Sequence, residues 1–268
     1  AIGMLLFTSR PVGDAMATTI WGTSSSWTLT ALPLFVWMGE ILFRTKLSEN
    51  LFKGLAPWLS RLPGGLIHVN VVGCALFAAI SGSSAATVAT VGKMSIPELR
   101  KRNYPEKLLL GSLAGSGTLG LLIPPSIILI IYGVTVQESI AKLFIAGIIP
   151  GIMLAIFFML YVIGWSVLNK NIMPKMDETF SFFQKIKQSG QLIPVIVLIL
   201  AVIGSIYVGI ATATEAASLG VVGALILSFF QKSLNKETFK LSLLGATKTS
   251  CMIAFILAGS SFLSLAMG

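Results

Sequence analysis

The sequence predicts an all-α protein that crosses a lipid bilayer several times. One segment enters and leaves on the same side, and another is a helix broken part-way. Three observations predict this. First, 55% of the 268 residues are hydrophobic and only 11% are charged, with a mean hydropathy of +0.89. A soluble domain carries about 25% charged residues, so this little charge cannot cover a water-soluble surface. Second, apolar runs of roughly 18 residues or more recur, each long enough to span a hydrocarbon core. Third, the 19 Lys and Arg residues lie between these runs. The net charge of +9 therefore sets orientation in a bilayer and does not indicate a nucleic-acid partner.

The elements follow in order. Residues 1–9 are a short apolar piece closed by Arg10-Pro11, and 28–43 (TLTALPLFVWMGEILF) form the first spanning candidate. A basic loop, 44–65, leads to the apolar stretch 66–92 and a second basic loop, 93–107. Residues 108–133 are apolar but interrupted by glycines and by Pro124-Pro125. VTVQESIAKLF reads as a short amphipathic piece on the outer surface. Then come span 143–168, loop 169–189, span 191–208, the polar GIATATEAAS, span 216–230, loop 232–248 and an apolar helix from about 249 onward. The chain starts at Ala1 with no leader and stops inside the apolar FLSLAMG, so it reads as part of a longer one.

Orientation decides how 66–92 behaves. If it crossed once, the basic loop 93–107 would face the side opposite 44–65, and 169–189 and 232–248 would follow it. If it turns back, all four loops share the cytoplasmic side and hold 17 of the 19 basic residues, leaving Arg10 and Lys142 outside. Length agrees. Two arms of about 13 residues reach ~20 Å each, beyond the midplane of a ~30 Å core but not across it. The tip falls at Ser81-Gly82-Ser83-Ser84, in ISGSSAATVAT. Non-helical backbone at that depth is tolerated only inside protein or beside a watery cavity.

The segment GSLAGSGTLGLLIPPSIILIIYG (111–133) repeats the theme. Gly111, Gly115, Gly117 and Gly120 allow close approach. Pro124 and Pro125 bring no N–H, so the carbonyls of Gly120 and Leu121 lose their helical donors, and Ser116, Thr118 and Ser126 add hydroxyls. Carbonyls and hydroxyls without carboxylates suit a monovalent cation such as Na⁺, because divalent ions ordinarily take carboxylate ligands. Half-helix N-termini at the same place suit an anionic substrate. Either motif alone could serve only helix packing and kinking. The pair matches the layout of secondary-transporter sites.

LPLFVWMGE (32–40), AAISGSSAATVAT (78–90), GTLGLLIPPSIILIIYG (117–133) and GIATATEAAS (209–218), in that order, resemble the large membrane subunit of tripartite ATP-independent periplasmic (TRAP) transporters. The resemblance implies an inverted-repeat, elevator-type transporter of the bacterial inner membrane. It would import a small carboxylate or sugar acid coupled to Na⁺, with no other cofactor. Its partners would be a periplasmic substrate-binding protein and a small four-helix membrane subunit. On this pattern residues 1–65 are scaffold helices of the first repeat, and 66–133 are a transport-domain element (hairpin 66–92, broken helix 108–133). Residues 134–190 connect, and 191–268 begin a second repeat whose remainder, with its own hairpin and ion site, lies beyond this chain. The implied Na⁺ site comprises Ser81, Gly82, Ser83, Ser84, Gly117, Thr118, Gly120 and Leu121, and the substrate cavity is bordered by Ser84, Thr87, Pro124, Pro125 and Ser126.

Other residues have plainer readings. Glu40 and Arg44 form an i,i+4 pair. Glu215 caps a helix start with Thr212 or Thr214 as N-cap. His68 and Asn70 make packing hydrogen bonds at the start of the hairpin, and Cys74 and Cys251 are small core residues. Trp21, Trp27 and Trp58 anchor span ends. A serine protease fails because His68 stands 13 residues from Ser81, ~20 Å along one helix. A metalloenzyme lacks clustered His, Cys or Asp. A passive channel or a non-transporting assembly subunit is the alternative to a transporter.

Overall fold

A computed structural model describes residues 11–45, 47–174, 182–190 and 192–267, and among them every regular element is helical. The apolar piece 1–9 and Arg10 lie outside the described residues. The helices are α1 (Val12–Ser24), α2 (Ala31–Phe43), α3 (Leu47–Leu59), α4 (Ile67–Ser81), α5 (Ser84–Lys101) and α6 (Glu106–Gly117). They continue with α7 (Ile127–Val136), α8 (Ile140–Leu168), α9 (Phe182–Ser189), α10 (Ile193–Tyr207), α11 (Ala213–Phe230) and α12 (Lys236–Met267). Short 3₁₀ turns precede α2 (Trp27–Thr30) and follow α6 (Thr118–Leu121). Helices α8, α11 and α12 are long and apolar enough to cross a membrane, and the bent pairs α1–α2 (55°) and α9–α10 (51°) bring the number of such spans to as many as five.

Several boundaries differ from the sequence expectation. The basic stretch 232–248 is not a loop beyond Asn235, because Asn235 Oδ1 accepts from Thr238 N at 2.6 Å and starts α12 thirteen residues early. Lysines are good helix formers, and this turn is anchored by Trp37 Nε1 donating to Ser242 Oγ at 3.3 Å. Loop 44–65 contains α3, and α5 runs through Pro97 to Lys101. VTVQESIAKLF is no separate surface piece. It holds the end of α7, a turn whose Gln137 is left-handed (φ 58), and the start of α8, where Ser139 accepts from Lys142 N. Helix α1 was hidden by its mixed composition; it packs on α12, with Thr23 Oγ1 donating to Ser261 Oγ at 3.1 Å. Cys74 is buried, but Cys251 is exposed.

Helix α2 is the axis of the packing, flanked by α11, α12 and α4. Phe35 on α2 meets Phe144 on α8 edge-on at 6.0 Å between ring centres, and Glu40 pairs with Arg44 at 3.0 Å where Gly245 of α12 closes over the carboxylate.

Helices α4 and α5 form an antiparallel hairpin. Gly73, nine residues before Gly82, faces Val91, nine after it, and a methyl on Gly73 would touch Val91 Cγ1 at 3.7 Å. At the base Leu66 N donates to Tyr104 Oη at 3.1 Å, so the chain returns to the end it left. Burial pushes the Tyr104 hydroxyl above its ordinary range, which the Leu66 N–H and the Arg102 charge partly offset. The arms hold 15 and 18 residues, longer than the sequence estimate because α5 continues into its charged end. Asn70 staples the hairpin to α6, its Nδ2 donating to Leu109 O at 3.3 Å and Ser112 Oγ at 3.1 Å.

Helix α8 measures depth. Its 29 residues extend over about 43 Å. Gly64, at the hairpin base, abuts Val162 and Ser166 near one end of α8, whereas Gly147 and Gly151 touch Leu122 and Ile123. The break in the α6–α7 rod therefore lies some 10–17 Å from the Ile140 end of α8, inside a ~30 Å core centred on α8.

Candidate functional site

The site is built where two interrupted helices meet. Helix α4 stops because Gly82 takes the left-handed conformation (φ 60), its N–H donating to Ala78 O at 3.0 Å. Ser83 is extended and caps α5, its hydroxyl accepting from Ala86 N at 3.4 Å. Ser81 Oγ and Thr87 Oγ1 share a hydrogen bond at 3.0 Å, and Thr87 Oγ1 lies 2.8 Å from Ser83 O, to which it donates. The tip is thus held by its own hydroxyls. Ser84 Oγ is the exception, buried and without a hydrogen-bond partner among the described residues.

The facing break is assembled by the two prolines and Ser126. Helix α6 ends at Gly117, tightens into the 3₁₀ turn, and becomes irregular from Leu122 until Ser126 caps α7 by accepting from Leu129 N at 3.4 Å. The Pro124-Pro125 bond is cis. The Leu121 carbonyl, which Pro125 deprives of a helical donor, accepts from Ser126 Oγ at 2.7 Å. Pro124, Pro125 and Ser126 are all buried.

Glycines seat one break against the other. Ile127 N donates to Gly82 O at 3.2 Å. A methyl on Gly82 would stand 2.5 Å from Pro125 O, and one on Gly120 would stand 2.8 Å from Ser84 N. Gly117 leaves room for Val88. Helix α2 presses on the same point, for a methyl on Gly39 would lie 2.8 Å from Ser81 Cα.

The structure therefore brings together Ser81, Gly82, Ser83, Ser84, Thr87, Gly117, Gly120, Pro125 and Ser126, with Leu121 joined through the Ser126 hydroxyl. Thr118 stands apart: it is exposed, and its hydroxyl donates to Gly115 O at 2.7 Å. Ser116 is occupied by Ser112 O at 2.6 Å. Sequence reasoning missed Gly39, Gly147 and Gly151, which carry contacts to the tip and the break. The Gly-x-x-x-Gly spacing within α8 was the available signal.

Chemically, the junction offers neutral oxygen donors and two kinds of helix end. Helix α4 and the 3₁₀ turn present last-turn carbonyls, while α5 and α7 present first-turn N–H groups. No carboxylate occurs in 78–90 or 117–133, and no group of three His, Cys, Asp or Glu gathers among the described residues. Such a set can hold a monovalent cation at the carbonyl side and an anion at the N-terminal side. His68 takes no part, since its Nε2 is bonded to Pro63 O at 2.8 Å.

The second polar segment is a helix cap. Thr212 Oγ1 accepts from Glu215 N at 3.3 Å, and Glu215 Oε2 accepts from Thr212 N at 2.8 Å, a reciprocal capping box in which Thr212, not Thr214, is the N-cap. Thr212→Ala is expected to lower stability by about 1 kcal/mol, read as a fall in thermal midpoint with helical content kept.

The family model described as "Tripartite ATP-independent periplasmic transporter, DctM component" matches residues 1–268 of this chain. The chain belongs to the DctM family. It is 33% identical over 261 residues to the C4-dicarboxylate TRAP transporter large permease protein DctM of Pseudomonas aeruginosa, covering 97% of this chain and 60% of that protein. It is 33% identical over 246 residues to the 2,3-diketo-L-gulonate TRAP transporter large permease protein YiaN of Escherichia coli, covering 91% and 57%. It is 34% identical over 259 residues to the isethionate TRAP transporter permease protein DctMQ of Oleidesulfovibrio alaskensis, covering 93% and 39%. The chain thus spans about three fifths of the length of the DctM relatives it matches. DctM proteins are transporter permease subunits of the membrane, not enzymes.

Proposed function

We infer that this DctM chain carries one half of the transport machinery of a bacterial inner-membrane importer that couples entry of a small organic anion to Na⁺. The observation that carries the reading is the junction of hairpin tip and broken helix, with neutral oxygens on one side, helix N-termini on the other and Ser84 Oγ buried without a partner. Na⁺ is held by the Ser81–Ser84 tip with the backbone of Gly117, Thr118, Gly120 and Leu121. The anion lies beside Ser84, Thr87, Pro124, Pro125 and Ser126, where the first-turn N–H groups of α5 and α7 favour negative charge. Relatives named for C4-dicarboxylates, 2,3-diketo-L-gulonate and isethionate support an acid substrate. A periplasmic binding protein delivers it, a small four-helix subunit accompanies the chain, and the hairpin moves as an elevator against a static frame.

Replacing Na⁺ by K⁺ in proteoliposomes of the complete transporter is expected to abolish concentrative uptake. Undiminished uptake in K⁺ would refute the coupling, and flux that never exceeds equilibration would point to the passive channel instead. Ser83→Leu is expected to raise the Na⁺ concentration for half-maximal uptake at least tenfold, a loss of about 1.4 kcal/mol of ion binding, whereas Thr118→Leu, which replaces a side chain exposed and turned to Gly115 O, leaves it unchanged. An unchanged Na⁺ curve in Ser83→Leu would remove the tip from the ion site.

A further inference from the structure

Two hydroxyls of the hairpin tip close a ring. Thr87 Oγ1 donates to Ser83 O at 2.8 Å, which commits the single proton of a threonine hydroxyl. The 3.0 Å contact between Ser81 Oγ and Thr87 Oγ1 must then be carried by the proton of Ser81. Ser81 Oγ also approaches Ser83 O, but at 3.4 Å, so the shorter bond takes its proton. The same Ser81 oxygen accepts from Ser83 N at 3.4 Å. The ring therefore leaves Ser83 at its N–H, passes through Ser81 and Thr87, and returns to the Ser83 carbonyl.

The direction of the protons decides what each oxygen can still do. Ser83 O accepts from Thr87 N at 2.9 Å as well as from the hydroxyl, so both of its lone pairs are taken and it is no ligand for an ion. Ser81 Oγ keeps one lone pair and no free proton. An oxygen in that state can face a cation and has nothing to donate to a carboxylate. Thr87 borders the anion's place, yet its own proton is spent inside the tip, so its hydroxyl serves the cation. The ring is also held from outside. Ser81 and Thr87 are 2% and 0% exposed. A methyl on Gly39 would lie 2.8 Å from Ser81 Cα, and one on Gly120 would lie 3.0 Å from the carbonyl carbon of Ser83. Helix α2 and the 3₁₀ turn after α6 thus both press on it, and little room is left for the hydroxyls to turn.

We propose that Thr87 is a positioning residue for Na⁺. Its hydroxyl fixes the Ser81 oxygen as a ligand, with the Ser81 proton turned to Thr87 and away from the ion, and it keeps the Ser83 carbonyl out of the coordination shell. The proposal rests on the Na⁺ reading above and adds the residue that organises the tip. Thr90, one turn further along α5, makes the ordinary back-bond of a helical threonine, to Ala86 O at 2.7 Å. It lies outside the ring and serves as the control.

The test titrates the complete transporter, purified in detergent, with Na⁺ against choline at constant ionic strength and follows the thermal midpoint. Thr87→Val is expected to raise the Na⁺ concentration for half of the midpoint shift about fivefold, the worth of one neutral hydrogen bond. Thr87→Ser, which keeps the hydroxyl, is expected to stay within about twofold of the parent, and Thr90→Val to follow the parent curve. Thr87→Ala, which sets no methyl against the Ser83 carbonyl, is expected to shift the curve as valine does and keeps the test open should Thr87→Val impair folding. Because Thr87 acts through Ser81, adding Thr87→Val to Ser81→Ala is expected to change nothing further. An unmoved Na⁺ curve in Thr87→Val and Thr87→Ala, or a serine variant as impaired as the valine one, overturns the proposal. Additive losses in the double variant would make Thr87 a ligand in its own right and also overturn it. A parent midpoint that ignores Na⁺ is a different failure: it removes the Na⁺ reading itself, and this proposal with it.

Discussion

Gly82→Val is expected to abolish uptake by the complete transporter and to lower its stability by several kcal/mol. Two costs add. Gly82 has φ 60, a conformation that costs an L-residue roughly 1–2 kcal/mol and is worse for a β-branched one. The first side-chain carbon would also stand 2.5 Å from Pro125 O. That oxygen is backbone in a proline pair, so it cannot rotate away as a flexible side chain would. Either the hairpin tip lifts or the break does, and the Ile127 N to Gly82 O bond of 3.2 Å is lost. Gly82→Ala meets the same first carbon and is expected to be impaired as well, though less. Gly111→Ala is the control: a methyl there meets nothing within 4 Å, and alanine in a helix gains up to about 1 kcal/mol over glycine. Uptake in proteoliposomes with thermal midpoints in parallel reads all three. Normal transport by Gly82→Val would mean that the tip and the break do not have to meet.

The distribution of Lys and Arg reported the hairpin because charge and depth are coupled by one energy, the cost of moving an ammonium through hydrocarbon. The bond from Leu66 to Tyr104 closes the hairpin base where the charges put it. Pro124-Pro125 and the SGSS cluster were legible for a related reason: each removes or replaces backbone hydrogen bonds, and the consequence is local. What stayed hidden depended on partners far away in sequence. Nothing in GDAMATTIWGTS announces that α1 will lean on α12 through Thr23 and Ser261. The lysines of 236–248 read as a loop because each is polar, yet the segment coils once Ser242 and Ala246 are buried against α2. At the site, sequence named the tip and the break, but it left open how the free donors and acceptors are used. Thr118 and Ser116 turned to carbonyls of their own helix, a choice that sequence alone does not reveal.

Gly147→Leu is expected to cost about 3 kcal/mol of stability and at least tenfold in uptake, by the overpacking of a filled contact. A first carbon at Gly147 would lie 2.6 Å from Leu122 O, a backbone atom of the break, whereas one at Gly151 would meet the side-chain methylene Ile123 Cγ1 at 2.8 Å. Gly147→Ala should therefore be worse than Gly151→Ala, since a carbonyl of the broken segment yields less readily than an isoleucine side chain. Gly164, which has nothing within 4 Å, should accept alanine without loss. The contact also separates two ways in which α8 could take part. In the elevator reading α8 is static frame and the break slides along it, so the two glycines are a smooth track. On that reading Gly151→Val keeps the tip and the break together and leaves Na⁺-induced thermal stabilisation intact, while uptake falls severalfold because the passage is obstructed. Equal loss of stabilisation and uptake in Gly151→Val would mean instead that α8 travels with the hairpin as one body, and the frame would have to be sought among α2, α11 and α12.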